Sequence, residues 1–349
     1  MKYVRKIVIV LTACLITLVF VELIYSTMHM NVYREEPSSA EGVWPWIIYD
    51  PLMGWMNKPM YIMPGHFQID ENGFRIIESS PTPDKKKRLI VCMGDSGTFG
   101  IWVARQDPVF GGFEFDSFPS YLQDIISKNN DMVINAGTIG YTSAHLLRQY
   151  MSSIRRLKPQ IIVIRIGHND HLWSWDKRLD AQQPRNVILR YLYNTFPATL
   201  TVQTIARYIF LFRQKSISEP WSTPDQYEYN LQTLITTANN DGVKVFLIDY
   251  PLRPLGIPPA SEANYLKQLK SKFRLKSHAA YIEIHEKYMQ RLETVAKSTG
   301  TQIIRTGHRL EDPKEKAFSG WDQVHPNKRG MRIIAEEIAK VLNKDAGNQ

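Results

Sequence analysis

Five short apolar runs, separated by stretches with helical spacing, begin at residue 88 and constrain the fold more than any other feature. They are RLIVCMG (88–94), DMVINAG (131–137), QIIVIRIG (160–167), GVKVFLIDYP (242–251) and TQIIRT (301–306). Each run is apolar nearly throughout, which is typical of a strand buried on both faces. The pattern therefore predicts an α/β protein with a mainly parallel five-stranded sheet covered by helices on both sides.

Composition and charge exclude several classes of protein. With 44% hydrophobic and 22% charged residues, the chain of 349 residues fits neither a disordered nor a fibrous protein. The formal net charge is +9, but the basic residues are scattered and form no continuous stripe on a helix. We therefore expect no nucleic-acid partner. Cys14 lies in an N-terminal apolar segment and Cys92 in a buried strand, so we expect no intramolecular disulfide.

The N-terminus carries a basic stretch, MKYVRK, before an apolar run from Ile7 to Leu23 in which Glu22 is the only charge. A run of this length can cross a bilayer as a helix, and the basic flank predicts that the N-terminus stays in the cytoplasm. YSTMHMN follows without a small-residue cleavage site, which favours an uncleaved anchor over a signal peptide. We predict a cytoplasmic tip and transmembrane helix at 1–27, with the remainder periplasmic or otherwise extracytoplasmic. The alternative is a lipoprotein modified at Cys14.

The rest of the chain divides into an arm and a larger domain. Residues 28–87 are predicted as an N-terminal arm and linker, in which Asn72-Gly73 lies between two apolar strips and predicts a tight hairpin. Residues 88–349 are predicted as the main domain. Within it, residues 171–241 are too long for a simple crossover, so we expect an insertion that serves as a lid or rests on the membrane.

Polar sequences follow four of the five predicted strands, at the edge of an open parallel sheet where ligands bind. They are GDSG after the first strand, NAGTIGYTS after the second, GHND after the third and SGWDQVHPN after the fifth. A serine, a turn asparagine or a loop histidine alone is more often a cap or a turn residue. Their order at successive strand ends instead favours one common site.

These sequences supply the groups that acyl transfer needs. Ser96 is the candidate nucleophile, and a serine hydroxyl needs a base within hydrogen-bonding reach. His325 is the candidate base, and Asp322, three residues earlier, is the carboxylate that would fix its tautomer. The backbone N–H groups of Ser96 and Gly140 and the side-chain amide of Asn169 are candidate donors to an oxyanion.

A metal site is the competing use of this region, because His168 and His171 have a spacing that can hold a metal on a helix. No third ligand follows nearby. We therefore predict neither a metal nor another cofactor.

The whole set resembles the SGNH hydrolases, also called the GDSL family of esterases and lipases, over residues 88–342. GDSGTFG is similar to the family's first block, NAGTIGYTS to the second, GHND to the third and DQVHPN to the last. The resemblance implies a flavodoxin-like three-layer α/β/α sandwich with a Ser96–His325–Asp322 triad and an oxyanion hole of Ser96, Gly140 and Asn169. Gly97 departs from the pattern, because a bulkier residue usually follows the serine. The arm also resembles that of many bacterial members, through GW..KP and GFR.

Three functions are compatible with these features. The first is a membrane-anchored serine esterase that hydrolyses O-acyl esters, with O-acetyl groups on cell-envelope carbohydrate as the first substrate class to try. The predicted membrane anchor at 1–27 and the aromatic-rich insertion at 171–241 are the reasons for that choice. The second is an O-acyltransferase with the same triad. The third is a catalytically inactive glycan-binding or assembly protein, against which the intact site residues argue. The sequence does not predict the oligomeric state.

Overall fold

The computed structural model describes residues 45–50, 53–79, 88–104, 113–129, 131–170, 222–252, 278–319 and 324–347, with five isolated positions near the N-terminus. The predicted anchor, the linker after Ser79 and residues 171–221 of the predicted insertion lie outside this set. No helix among the described residues is long and apolar enough to span a bilayer. The chain divides into two units, one of Met1–Met56 and Asp176–Ser218, the other of Asn57–Trp175 and Glu219–Gln349.

The elements are, in chain order, β1 (Ile47–Asp50), β2 (Gly54–Asn57), β3 (Ile62–Met63), β4 (Phe67–Gln68), β5 (Leu89–Gly94), α1 (Ser96–Phe99), β6 (Trp102–Val103), β7 (Phe113–Glu114), α2 (Phe118–Ile126), β8 (Met132–Asn135), α3 (Ser143–Ser152), β9 (Ile161–Arg165), α4 (Pro224–Asn240), β10 (Lys244–Ile248), α5 (His278–Thr299), β11 (Gln302–Ile304), α6 (Gly307–Leu310) and α7 (Lys328–Gly347). Short 3-10 helices lie at Ser127–Asn129 and Ile154–Leu157. Three further strand pairs, β1–β2, β3–β4 and β6–β7, form two-stranded sheets.

The central sheet has five parallel strands in the order β8-β5-β9-β10-β11, which confirms the predicted parallel sheet. Numbered along the chain, this is the 2-1-3-4-5 order of flavodoxin-like sheets. The order reverses between β5 and β9, and ligands of such sheets bind outside the carboxyl ends of the strands at this point.

Helices cover both faces of the sheet, as expected for strands that are apolar on both sides. The helices α2 and α7 pack together on one face, and their side chains share a buried cluster with Cys92, Val163 and Phe246. On the other face α4 packs against both α3 and α5. The C-terminal part of the predicted insertion is therefore α4, a helix of the sandwich.

The predicted C-terminal end of one helix is wrong. The helical spacing of Leu147, Tyr150, Met151 and Ile154 predicts a single helix over 143–157, whereas α3 ends at Ser152. Ser153 leaves the helical conformation with φ −128° and ψ −54°, and a 3-10 turn follows. The apolar spacing continues through this break, because the 3-10 turn still places Ile154 in the core. The spacing alone therefore could not locate the end of the helix.

The arm contains the predicted hairpin and joins the sheet. Gly73 N–H donates to Asp70 O, Asp70 N–H donates to Phe74 O, and Gly73 has a φ of 83°, a conformation that favours glycine. Arg75 follows the hairpin, and its N–H donates to Asn135 O on the edge strand β8 at 3.0 Å. The residue that follows the hairpin thus pairs with the edge strand β8 at one position.

Candidate active site

Ser96 is the first residue of α1, directly after β5. The N-cap of this helix is Asp95, whose Oδ1 accepts a hydrogen bond from Gly97 N–H at 2.9 Å. Ser96 therefore is not the helix cap, and its hydroxyl is available for other contacts. Its N–H lies in the first turn, where an α-helix provides no acceptor, so it is available to a bound oxyanion. A side chain at Gly94 would clash, since its Cβ would lie 2.3 Å from Arg165 O.

The hydroxyl of Ser96 contacts His325, 229 residues further along the chain. The distance from Ser96 Oγ to His325 Nε2 is 2.7 Å, within hydrogen-bonding range. The histidine loop is fixed by an antiparallel bridge between Phe318 and Pro326 and by a hydrogen bond from Asn327 N–H to Ala317 O at 2.8 Å. Asp322 lies outside the described residues, so its predicted contact with the imidazole stays a prediction.

Gly140 and Asn169 lie in two loops that are bonded to each other. Asn169 Nδ2 donates to Tyr141 O at 2.9 Å, which uses one of its two amide hydrogens and leaves the other for a ligand. Gly140 has a φ of 79°, a backbone conformation that favours glycine. The buried carboxylate of Asp170 accepts hydrogen bonds from Ser143 N–H at the start of α3, which ties the GHND loop to that helix.

The loop after β8 is also fixed against the turn between β5 and α1, which contains Ser96. Thr138 N–H donates to Gly94 O at 3.1 Å. A Cβ at Gly137 would lie 2.2 Å from the backbone nitrogen of Phe99, so only glycine allows the loop to approach α1 this closely. The loops after β5, β8 and β9 are therefore held together at one edge of the sheet.

His168, the histidine that the metal hypothesis used, contacts a tyrosine. Its Nδ1 lies 2.9 Å from the hydroxyl of Tyr281 on α5, and the residue is buried. The structure describes no group of three or more His, Cys, Asp or Glu residues that could hold a metal ion. His171 lies outside the part of the chain that the structure describes.

Two residues of the arm support the site, and sequence reasoning did not assign them this role. Asn57 Nδ2 donates to Gly73 O and Gly137 O at 3.0 Å and to Thr138 Oγ1 at 3.2 Å. Arg75 donates to the carbonyl oxygens of Phe99 and Gly100 at the end of α1. Burial lowers the pKa of Arg75 to about 10, against the opposing charge of Asp116. In the sequence, Arg75 lies in the GFR stretch, but this stretch does not indicate which groups the arginine contacts.

A further buried cation was also missed. Arg165 is the last residue of β9, and its Nη1 lies 4.0 Å from Asp95 Oδ1, with both side chains at most 5% exposed. Burial raises the pKa of Asp95, while the positive charges of Arg165 and His325 oppose this rise. The signal was a single arginine within the otherwise apolar run QIIVIRIG.

A flavodoxin-like sheet with a serine–histidine pair at its switch point defines a class of α/β hydrolases that is distinct from the G-x-S-x-G type. The sequence profile of the GDSL-like lipase/acylhydrolase family matches residues 92–333. The chain therefore belongs to this family and is a carboxylic ester hydrolase.

The solved structures that match this chain have low sequence identity to it. A GDSL-like lipase from Bacteroides thetaiotaomicron is 16% identical, with a TM-score of 0.43 over 76% of this chain and 92% of its own. An acetylxylan esterase from Geobacillus stearothermophilus, solved as a catalytic mutant, is 16% identical, with a TM-score of 0.44 over 72% and 93%. A GDSL-like lipase from Parabacteroides merdae, described as putative, is 14% identical, with a TM-score of 0.45 over 75% and 100%. No curated protein matches the sequence.

Proposed function

We propose that the protein is a serine esterase in which Ser96 is the nucleophile and His325 the general base. The observation that carries this proposal is the 2.7 Å distance between Ser96 Oγ and His325 Nε2. A neutral imidazole at this distance can take the hydroxyl proton as the serine oxygen attacks an ester carbonyl. Asp322 is proposed to hold the imidazole in the tautomer with Nε2 unprotonated.

The reaction then proceeds in two halves. Ser96 Oγ bonds to the carbonyl carbon, and the negative charge on the carbonyl oxygen is stabilised by the N–H groups of Ser96 and Gly140 and the amide of Asn169. His325 gives its proton to the departing alcohol, which leaves an acyl-serine. Water attacks the acyl group, again with His325 as base, and releases the acid and the free serine.

The substrate and location belong to the same proposal. We propose O-acyl, first O-acetyl, esters on cell-envelope carbohydrate as the substrate, reached from a membrane anchor at residues 1–27. The support is the basic and apolar sequence of that segment and the aromatic content of residues 171–241. An O-acyltransferase uses the same acyl-serine and differs in the acceptor that attacks it.

The first experiment measures p-nitrophenol release from p-nitrophenyl acetate, butyrate and octanoate by the full-length chain in detergent. Ser96→Ala and His325→Ala should each lower kcat by about 10³-fold or more with folding retained. Ser127→Ala, which removes an exposed hydroxyl outside the site, is the matched control and should leave kcat unchanged. A Ser96→Ala variant as active as wild type would overturn the assignment.

A second experiment addresses acceptor and location. Acetate release from acetylated oligosaccharides, with and without an unacetylated acceptor, separates hydrolysis from transfer. Fractionation of cells that express the full-length chain and a chain lacking residues 1–27 tests the anchor. Only the full-length chain should remain in carbonate-washed membranes, and its main domain should be cleaved by protease added from the extracytoplasmic side.

A further inference from the structure

The space beside Gly97, the residue after the proposed nucleophile, is filled by Arg165 from the end of β9. A Cβ at position 97 would lie 2.1 Å from Arg165 Nη1 and 3.2 Å from its Cζ. Arg165 is only 3% exposed, so the guanidinium has no route into solvent without a wider rearrangement. Gly97 has no positive φ, and it lies within the helix α1. Its backbone conformation therefore does not require glycine, and the guanidinium is what excludes a side chain at this position.

The same guanidinium pairs with the cap of the nucleophile helix. Arg165 Nη1 lies 4.0 Å from Asp95 Oδ1, and this oxygen also accepts the hydrogen bond from Gly97 N–H. A buried carboxylate without a counter-charge is strongly unfavourable, and breaking a buried pair by removing one partner leaves such a charge behind. Asp95 is thus the link between the cation on β9 and the turn that begins α1.

We propose that Arg165 is a positioning residue, which holds the turn that presents Ser96 to His325 by pairing with Asp95 and filling the space at Gly97. The inference rests on the proposed role of Ser96 as nucleophile. It also accounts for the departure of Gly97 from the bulkier residue of the family pattern, since a larger side chain there and the guanidinium of Arg165 exclude each other.

The charged and titratable groups around Asp95 come from several elements. Arg165 on β9 and His325 before α7 act on it as positive charges. Tyr227 on α4 and Tyr250 after β10 also interact with Asp95, but burial raises their pKa values well above 10, so both stay neutral. His285 on α5 feels the charge of Arg165, and its pKa is lowered to about 4, first by burial. Asp95 is therefore the carboxylate of this set whose ionisation burial opposes and the positive charge of Arg165 favours.

The first test is a double-mutant cycle on kcat/KM for p-nitrophenyl acetate, with Gly97→Ala, Arg165→Ala and the double variant. Gly97→Ala alone should lower kcat/KM ten- to hundredfold, mainly through kcat, because the added methyl group displaces the guanidinium from Asp95. In the Arg165→Ala background the same change should cost less than threefold, since Asp95 Oδ1 at 3.3 Å is then the nearest remaining contact. Equal losses in the two backgrounds would overturn the proposal.

A second variant, Arg165→Lys, serves as the background if Arg165→Ala fails to fold. Arg165→Lys keeps the positive charge but lacks the guanidinium branch that meets Gly97, so the loss caused by Gly97→Ala should again shrink. Because alanine favours a helix more than glycine does, Gly97→Ala should also raise the thermal midpoint in the Arg165→Ala or Arg165→Lys background. In the wild-type background it should lower the midpoint.

The pH dependence of stability separates an electrostatic role from space filling. Removing Arg165 should raise the pKa of Asp95 further above its unfolded value, so ionising this carboxylate destabilises the fold increasingly as pH rises. The difference in thermal midpoint between wild type and Arg165→Ala should therefore widen as pH rises and narrow as pH falls. In an Asp95→Asn background, where this side chain cannot titrate, the difference should not change with pH above about 7, where His285 is neutral in both the folded and the unfolded chain. A difference that is constant in the wild-type background would overturn the proposal.

These readouts separate the two proposals. The thermal midpoints need no turnover, so they test the Arg165–Asp95 contact even if Ser96 proves not to be the nucleophile. Loss of esterase activity on Ser96→Ala would sustain the proposed function. If the losses in kcat/KM of Gly97→Ala and Arg165→Ala simply multiplied in the double variant, Arg165 would be rejected as a positioning residue.

Discussion

Arg75 Nη1 donates a hydrogen bond of 2.6 Å to the carbonyl oxygen of Phe99, the last residue of the helix that begins with Ser96. Nη1 donates a second bond to Gly100 O, and Nη2 donates one to Phe115 O. It also lies 5.4 Å from the ring centroids of Phe67 and Phe99. A residue of the arm therefore binds the carbonyl groups at the C-terminal end of α1.

We expect Arg75→Met to lower the free energy of unfolding by about 3 kcal/mol, because three carbonyl groups lose a charged donor in a buried site. It should also lower kcat/KM, since α1 loses its fixed end. Arg75→Lys should recover only part of the unfolding free energy and part of kcat/KM, because an ammonium group cannot reach all the carbonyl groups that the planar guanidinium binds. Urea unfolding and ester hydrolysis measure the two effects.

Arg156→Met, a change of the same kind at an exposed position, is the control and should alter neither quantity. If Arg75→Met were as stable and as active as this control, the arm would be a covering segment without influence on the site.

The contacts of Asn57 predict that the isosteric substitution is worse than truncation. Asn57→Ala should cost about 2 kcal/mol, since it removes the donor to Gly73 O and Gly137 O. Asn57→Asp should lower the free energy of unfolding further, because it places a carboxylate against the same carbonyl oxygens. Asn72→Asp, on the exposed hairpin of the same arm, is the matched control. Chemical denaturation ranks the variants, and equal stability of the two Asn57 variants would contradict the assigned donor role.

The left-handed conformation of Gly140 gives a test of its proposed part in the oxyanion hole. Gly140→Ala should cost about 1–2 kcal/mol in unfolding free energy from the backbone alone. Gly300→Ala provides the same strain without the site, since Gly300 has a φ of 68° and no atom within 4 Å of an added Cβ. Only Gly140→Ala should lower kcat/KM, by about tenfold or more. Equal activity in the two variants would argue against a role of the Gly140 N–H.

The buried His285 predicts a component of acid sensitivity. Burial lowers its pKa from 6.5 to about 4, so the unfolded chain binds a proton at this residue before the folded protein does. Stability from this group is fully present above pH 6.5 and is lost as pH falls towards 4, by about 3 kcal/mol in total.

His285→Gln should remove this component, and the exposed His66→Gln should not. The measurement is the urea-unfolding free energy of each variant at pH 7.5 and at pH 4.5. An identical pH dependence of wild type and His285→Gln would contradict the lowered pKa.

The elements that followed from the sequence are those specified by residues close together in the chain. Leu89–Gly94 and Ile161–Arg165 are apolar nearly throughout, so burial on both faces and a parallel sheet followed directly. The hairpin at Asp70–Phe74 followed from Asn72-Gly73 for the same reason, because turn geometry depends on a few adjacent residues. Their positions after four of the five strands predict that Ser96, Gly140, Asn169 and His325 share one site, and the structure places Ser96 Oγ 2.7 Å from His325 Nε2.

Other features required the tertiary structure, because they depend on contacts between residues far apart in the chain. The sequence left open whether Ser96 was a cap or a free hydroxyl, and the structure shows that Asp95 caps α1. No local pattern indicated that Arg75 and Asn57 bond to α1 and to the loop after β8, across 24 to 81 positions. Such bonds follow from the packing of whole elements.

The sequence by itself determined the strands, the parallel sheet and the residue types at the carboxyl ends of its strands, because periodicity and turn chemistry are local. The tertiary structure decided that Ser96 lies against His325, that Arg165 fills the space at Gly97, and that the arm closes α1. These outcomes depend on distances that exist only when β5 and β9 lie side by side and the loop before α7 returns to the same edge. A buried arginine beside a glycine has no local signature, since neither residue specifies the other until the fold brings them together.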